Sequence, residues 1–253
     1  MATCISVVLI VKDNASILSA CLLSVKDLAH EIIVVDNGST DKSVDVAQAH
    51  GAIVFRNHES NLGKLRAYAL THARGPWILS IDADERVSKE LAQEILKIKN
   101  RGAFDGYIIP FRNHLFGKPI QFGGEGYKMM RFFKKESVDI KPAFVHERYG
   151  LRTERLGLLK NPIDHFSYRN IVQLFTKFSN YAVREARDRY AQGENVSLKK
   201  LTLYGPHMLY ARYIKDKGYK DGQTRIILDL AFAYMEQITY LLLAFLYLKK
   251  RNR

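Results

Sequence analysis

The first hundred residues alternate between short apolar runs and stretches of helical period, and this alternation restricts the fold more than any other feature. Residues 5–11 form one continuous β-branched apolar run, the pattern of a strand buried on both faces. Ile17, Cys21, Leu22 and Val25 then recur at helical spacing. Residues 31–35, 52–55 and 77–81 repeat the strand pattern, and residues 41–50, 62–73 and 88–99 the helical one. Asp41 is a candidate N-cap for the second helix, Gly51 stands just past its end, and Gly75-Pro76 closes the third. Strands alternating with helices of about ten to fifteen residues imply a parallel, doubly wound α/β sheet. Ligands of such sheets bind beyond the carboxyl ends of the strands. Attention therefore falls on Lys12-Asp13, Asp36-Asn37-Gly38 and Asp82-Ala83-Asp84.

The remaining chain changes character twice. Residues 107–111, 129–133 and 144–147 read as short strands, joined by turns at Gly117, Gly123-Gly124 and Gly126 that form a candidate lid. From residue 168 the pattern is helical, with Ile171, Leu174, Phe178 and Ala182 on one face. Residues 226–248 are long and rich in Leu, Phe and Tyr, but Asp229, Glu236 and Gln237 interrupt them. Charges near a bilayer centre are expensive, so an interfacial or re-entrant helix suits this segment better than a clean span. A hydrophobic helix that packs on the catalytic domain or forms a dimer is the alternative. Charge is lopsided as well. Residues 1–120 carry 14 Lys and Arg against 13 Asp and Glu, whereas residues 121–253 carry 25 against 13. A half with a balance of +12 attracts a polyanion, be it an acidic leaflet, a phosphorylated acceptor or nucleic acid. Cys4 and Cys21, the two cysteines, suit buried reduced thiols of a cytosolic protein. The run 5–11 breaks at Lys12-Asp13, as a strand does and a signal peptide does not.

Chemistry concentrates in Trp77-Ile-Leu-Ser-Ile-Asp82-Ala-Asp84-Glu85, an apolar strand ending in two carboxylates one residue apart, with a helical segment expected to follow. At a strand end this spacing can aim both at one point, where hard oxygen ligands hold Mg²⁺ or Mn²⁺ on a diphosphate. An isolated Asp-x-Asp is more often a solvated turn, so its placement carries the argument. In Asp36-Asn-Gly-Ser39-Thr40-Asp41 the first carboxylate can accept hydrogen bonds from a base or ribose; equally, Asp36 or Ser39 can cap the next helix. No G-x-G-x-x-G follows any strand, which argues against a dinucleotide oxidoreductase. Aromatics mixed with Lys and Arg near residues 181–190 and 204–219 follow helical periodicity, and nucleic acid is not an expected partner.

The ordered blocks Ser6-Val-Val-Leu-Ile-Val-Lys12-Asp-Asn, Val35-Asp36-Asn-Gly-Ser-Thr-Asp41, Asn61-x-Gly63-x-x-Arg66 and Asp82-Ala-Asp84 resemble glycosyltransferase family 2, with its GT-A fold. That resemblance implies a UDP-sugar donor, with Asp36 on the uracil, Asp82 on the ribose or metal, and Asp84 holding Mg²⁺ or Mn²⁺ on the diphosphate. Val11, Lys12, Asn61, Lys64, Arg66 and Ala83 would line the donor site. Later motifs, Val145-His146-Glu147, Asp164-His165-Phe-Ser-Tyr168 and Lys217-Gly-Tyr-Lys-Asp221-Gly222, are similar to a narrower branch, the lipopolysaccharide inner-core β-1,4-glucosyltransferases. At Asp13-Asn14 the chain departs from that branch, where Asn-Glu is usual. The resemblance makes Glu147 the catalytic base, with Glu125 in reserve, and His165 either a metal ligand or a core histidine. An ion pair with Arg148 or Arg152 is the structural alternative for Glu147. Arg131 is a candidate for neutralising the leaving group. The expectation is a GT-A catalytic domain over residues 1–167, with a nucleotide-binding half at 1–102 and an acceptor-side half at 103–167. A basic helical region, 168–253, follows and associates with membrane. Such an enzyme would pass a hexose, best assigned as glucose, to a heptose of the lipopolysaccharide core, or to another lipid-linked or capsular glycan, at the anionic cytoplasmic face of the inner membrane.

Overall fold

The computed structural model describes residues 4–99, 103–140, 149–153 and 155–251. They form two units: Met1–Phe111 with Tyr127–His165, and Arg112–Gly126 with Phe166–Arg253. The first unit opens with β1 (Ile5–Val11), α1 (Ala15–Val25), β2 (Glu31–Asp36), α2 (Ser43–Ala49), β3 (Ile53–Arg56), α3 (Leu62–His72), β4 (Trp77–Ser80), β5 (Glu85–Val87) and α4 (Lys89–Ile98). Strands β1 and β2, β1 and β4, and β2 and β3 pair in parallel, with Val11 opposite Asp36.

The apolar run of β1 is buried on both faces, as its composition requires. Ile5, Val7, Leu9 and Val11 pack with Leu18, Cys21 and Leu22 of α1 and Leu91 and Ile95 of α4. Val8 joins Ile33 and Val35 against Leu65 and Ala69 of α3. Each Val, Leu or Ile side chain among them contributes about 1.5–3 kcal/mol by leaving water. The one polar residue of β1, Ser6, donates to Glu31 at 2.5 Å and accepts from the Gly75 amide at 2.8 Å.

The later strands are β6 (Gly106–Leu115), β7 (Lys118–Pro119), β8 (Lys128–Lys134), β9 (Val138–Ile140), β10 (Tyr149–Leu151), β11 (Leu156–Leu158) and β12 (Ile163–Tyr168). The sheet order is β3-β2-β1-β4-β8-β6-β12-β5, with β8 antiparallel to β4 and β5 antiparallel to β12. Strands β6 and β12 each carry the chain from the first unit into the second. No helix begins directly after Asp84; β5 intervenes. Glu85 is buried and Val87 enters the core, so the chain stays extended until Ser88 caps α4 by accepting from the Leu91 amide at 3.1 Å. The strand expected at 144–147 lies outside the described residues.

In the second unit, α5 (Ile171–Ala191), α6 (Leu198–Leu209) and α7 (Arg225–Arg251) follow in order, and α7 packs on α5 and α6. Residues Tyr210–Lys215 continue α6 as a wider π-helical turn. The three polar residues that interrupt the apolar segment all have partners in this unit. Asp229 accepts from Arg225 and Arg212, Glu236 pairs with Arg189, and Gln237 donates to the Leu201 carbonyl. The glycine turn is anchored. Asp221 accepts from the Gln121 and Phe122 amides at 3.0 Å each, and buried Arg225 donates to the Phe122 and Gly123 carbonyls. Gly123 has a φ of +65°, and a Cβ there would lie 2.0 Å from Arg225 Nη2. This segment is fastened to the helices through backbone bonds, which a freely swinging lid would lack.

Candidate active site

The ends of β1 and β2 are laced together by side chains. Asp36 is buried, and its carboxylate accepts from the Ser39 amide at 3.1 Å; the Asn37 amide donates to the Val11 carbonyl at 2.8 Å. Asp13, at a left-handed φ of +52°, accepts from the amide and hydroxyl of Thr40, while its own amide donates to Ser39 Oγ. Asp41 does not end up as the N-cap of α2, which starts after Lys42; instead it accepts from the Ala15 amide and Ser43, tying α1 to α2. Gly38, at φ +79°, packs so closely on the His58 ring that a Cβ would come within 2.6 Å. Lys12 is exposed beside this clamp.

On the far side of β1, the loop after β4 holds the acidic pair. The ends of β2 and β4 lie about 10 Å apart, two strand spacings. Between them, residues 8–10 of β1, Arg66 and Ala69 of α3, and Ser80, Ile81 and Asp82 enclose a narrow gap. Asp82 sits between two guanidinium groups: Arg131 Nη2 at 2.8 Å from one oxygen, Arg66 Nη2 at 3.6 Å from the other. Burial alone would raise its pKa, but Arg131 and Arg66 outweigh burial and hold it well below the usual carboxylate range. Arg131 also donates to Glu85 at 2.6 Å, and burial pushes the Glu85 carboxyl well above its ordinary value. Ala83 is buried between the two acids.

Asp84 faces a different partner. The antiparallel register sets His165 of β12 opposite Glu85, and His165 Nε2 lies 3.3 Å from Asp84 Oδ2. The Tyr127 hydroxyl meets His165 Nδ1 at 2.7 Å, and the Tyr127 ring stacks on Phe111 with centroids 4.7 Å apart. Two ligands about 2.1 Å from one hard cation, at a right angle, stand about 3 Å apart. Asp84 and His165 therefore fit as two donors to a divalent ion. Among the described residues no group of three His, Cys, Asp or Glu converges, so the other positions would fall to water and phosphate oxygens.

Other expected site residues take structural partners. Asn61 caps α3 by accepting from the Lys64 amide at 3.1 Å, and the Lys64 ammonium pairs with Glu59 at 3.3 Å. Glu125, the reserve base, lies in the second unit, bonded to Arg212 and to Asn113 at 2.9 Å. Glu147 and His146 lie outside the described residues. Two participants escaped the sequence reading. Glu85 could have been suspected from its place beside the acidic pair; Tyr127 left no signal.

A mixed sheet flanked by helices, with carboxylates beyond the ends of its parallel strands, matches the GT-A fold class. The family model "Glycosyl transferase family 2" matches residues 6–168, and the chain belongs to that family. It is 31% identical over 213 residues to an uncharacterized glycosyltransferase of Rickettsia felis, covering 78% of this chain and 74% of the relative. A Rickettsia bellii counterpart is also 31% identical, covering 76% and 70%. Among solved structures, residues 1–349 of S. aureus TarS share the fold at a TM-score of 0.50 and 15% identity, over 95% of this chain and 90% of that one. The protein is a glycosyltransferase.

Proposed function

We propose that the enzyme transfers a hexose, glucose as our assignment, from a UDP-sugar with inversion to a lipid-linked glycan at the cytoplasmic face of an anionic membrane. A heptose of the lipopolysaccharide core is the acceptor we favour, on the resemblance of the later motifs. The observation that carries the reading is the division of labour in Asp82-Ala83-Asp84: one carboxylate is held by two arginines, the other stands beside His165.

Asp36, buried at the end of β2, would accept from the uracil, with Val11 and Lys12 beside it and Asn61 and Lys64 at the mouth of α3. Arg66 and Arg131 place positive charge where the diphosphate lies, and Asp82 keeps their guanidinium groups in position. Asp84 and His165 would hold Mg²⁺ or Mn²⁺, which supplies Lewis-acid stabilisation of the departing diphosphate. Glu147 would take the proton from the acceptor hydroxyl as its oxygen bonds the anomeric carbon from the face opposite UDP. The anomeric C–O bond to UDP breaks in the same passage, through an oxocarbenium-like state.

The test is UDP release from a panel of UDP-sugars, with Mg²⁺ or Mn²⁺ and extracted lipopolysaccharide. Asp84→Asn should lower turnover at least about a hundredfold with the fold intact. Glu147→Gln should keep donor binding and lose transfer by about 10²–10⁴-fold. Undiminished transfer by both variants, or activity indifferent to a chelator, would end this reading.

A further inference from the structure

Helix α7 has two faces of opposite character. Arg225, Asp229 and Glu236 are its charged residues before the terminal basic cluster, and at 100° per residue they share an arc of about 40°. Each has a partner inside the second unit: Arg225 and Asp229 with one another, Glu236 with Arg189. The charges that make this segment look unfit for an apolar surroundings thus all point inward.

The opposite face is apolar and largely uncovered, with Tyr234 at its N-terminal part reaching Ser179 of α5 through its hydroxyl at 3.0 Å. Leu230, Tyr234, Leu241, Phe245 and Leu248 recur within an arc of about 60° and run for about 27 Å along the helix. All five are exposed, Phe245 and Leu248 to 60%. Gln237, at the edge of this stripe, turns its amide to the Leu201 carbonyl. The stripe ends at Lys249-Lys250-Arg251, within a half of the chain whose balance is +12. A second copy laid on this face would bring two such basic halves together, whereas an anionic surface complements them. Crossing the bilayer would strip α5 and α6 from the inward face; lying in the interface keeps them in place.

We propose that α7 rests its Leu230–Leu248 stripe in the headgroup and acyl boundary of an anionic bilayer, with Lys249 and Lys250 on acidic headgroups. The lipid-linked acceptor of the proposed function gives this contact its purpose, but the contact is measurable without donor or acceptor. The full chain is sedimented with phosphatidylcholine vesicles and with vesicles that also contain phosphatidylglycerol. Preference for the anionic vesicles, weakening severalfold between low and high salt, is expected. Leu241→Ser/Phe245→Ser/Leu248→Ser should partition at least about tenfold less, since each truncation removes apolar burial at the interface. Lys249→Gln/Lys250→Gln, which leaves the apolar stripe untouched, should lose the anionic preference and guards against misfolding of the triple variant. Equal binding to both vesicle types, or triple-variant binding like wild type, overturns the proposal. So does a wild-type dimer that the triple variant splits while vesicle binding stays absent throughout; that result assigns the face to a second copy. UDP release is run alongside: its failure with vesicle binding intact strikes the catalytic reading alone.

Discussion

Among the described residues, Asp84, Tyr127 and Phe111 hold His165 at different parts of its ring. Asp84 meets Nε2, Tyr127 meets Nδ1, and Phe111 lies edge-on to the ring with centroids 6.0 Å apart. A histidine that ligates through Nε2 must carry its proton on Nδ1, and the Tyr127 oxygen can accept that hydrogen bond and hold the tautomer. Tyr127→Phe keeps the stack on Phe111 and removes only this acceptor. It should weaken Mn²⁺ binding by about 10–100-fold in a direct titration, with most of kcat restored at saturating metal. Unchanged Mn²⁺ affinity would make Tyr127 a packing residue and nothing more.

Among elements, the close approach that seats β4 against β1 depends on one glycine. A Cβ on Gly75 would stand 2.7 Å from Ser6 Oγ, 2.9 Å from the Cys4 carbonyl and 3.0 Å from the Ser6 amide, the last a backbone atom of a buried strand that cannot retreat. Gly75→Ala should therefore destabilise the first unit by about 1–3 kcal/mol, read as a lowered midpoint in urea. A midpoint equal to wild type would mean the α3–β4 connection is looser than its contacts imply. The same scale separates what the sequence discloses from what it hides. Strands β1 to β4 and helices α1 to α4 are legible because each is specified by its own period, and the carboxylates follow from where those strands stop. β5 and β12 are not. Their three-residue and six-residue runs are held extended by each other and by Arg131, a partner on β8. Asp82 and Asp84 could be located from local pattern, but their separate partners, Arg66 and Arg131 against His165, come from segments remote in the chain and needed the register of β12. The helix over 226–248 was visible by composition, whereas the sorting of its charges to one side emerges only when Arg189 and Arg212 are in place.

For the molecule as a whole, ionisable groups are buried in both units, and Glu125 offers the cleaner titration because Arg212, Arg225 and Asn113, its partners, all belong to its own unit. Glu125 is buried there among Arg212, Arg225 and Asn113. Burial pushes its carboxyl above the ordinary value, and the two arginines offset only part of that. A carboxyl raised in the fold stays protonated there after the unfolded chain has released its proton, near 4.5. Its contribution to stability is thus complete below that pH and is lost as pH rises through the folded pKa. Glu125→Gln cannot titrate. Its unfolding free energy should fall less steeply than wild type on going upward from about pH 4.5, and the two should differ least at the acid end. Arg225 keeps Asp229, Asp221 and two carbonyls in this variant, and Arg212 keeps Asp229, so the unit still folds and the comparison can be made. Denaturant titrations of both proteins across this range decide it. Curves that run parallel would place the proton elsewhere, and a wild type that gains stability as pH rises there would mean the arginines, not burial, dominate at Glu125.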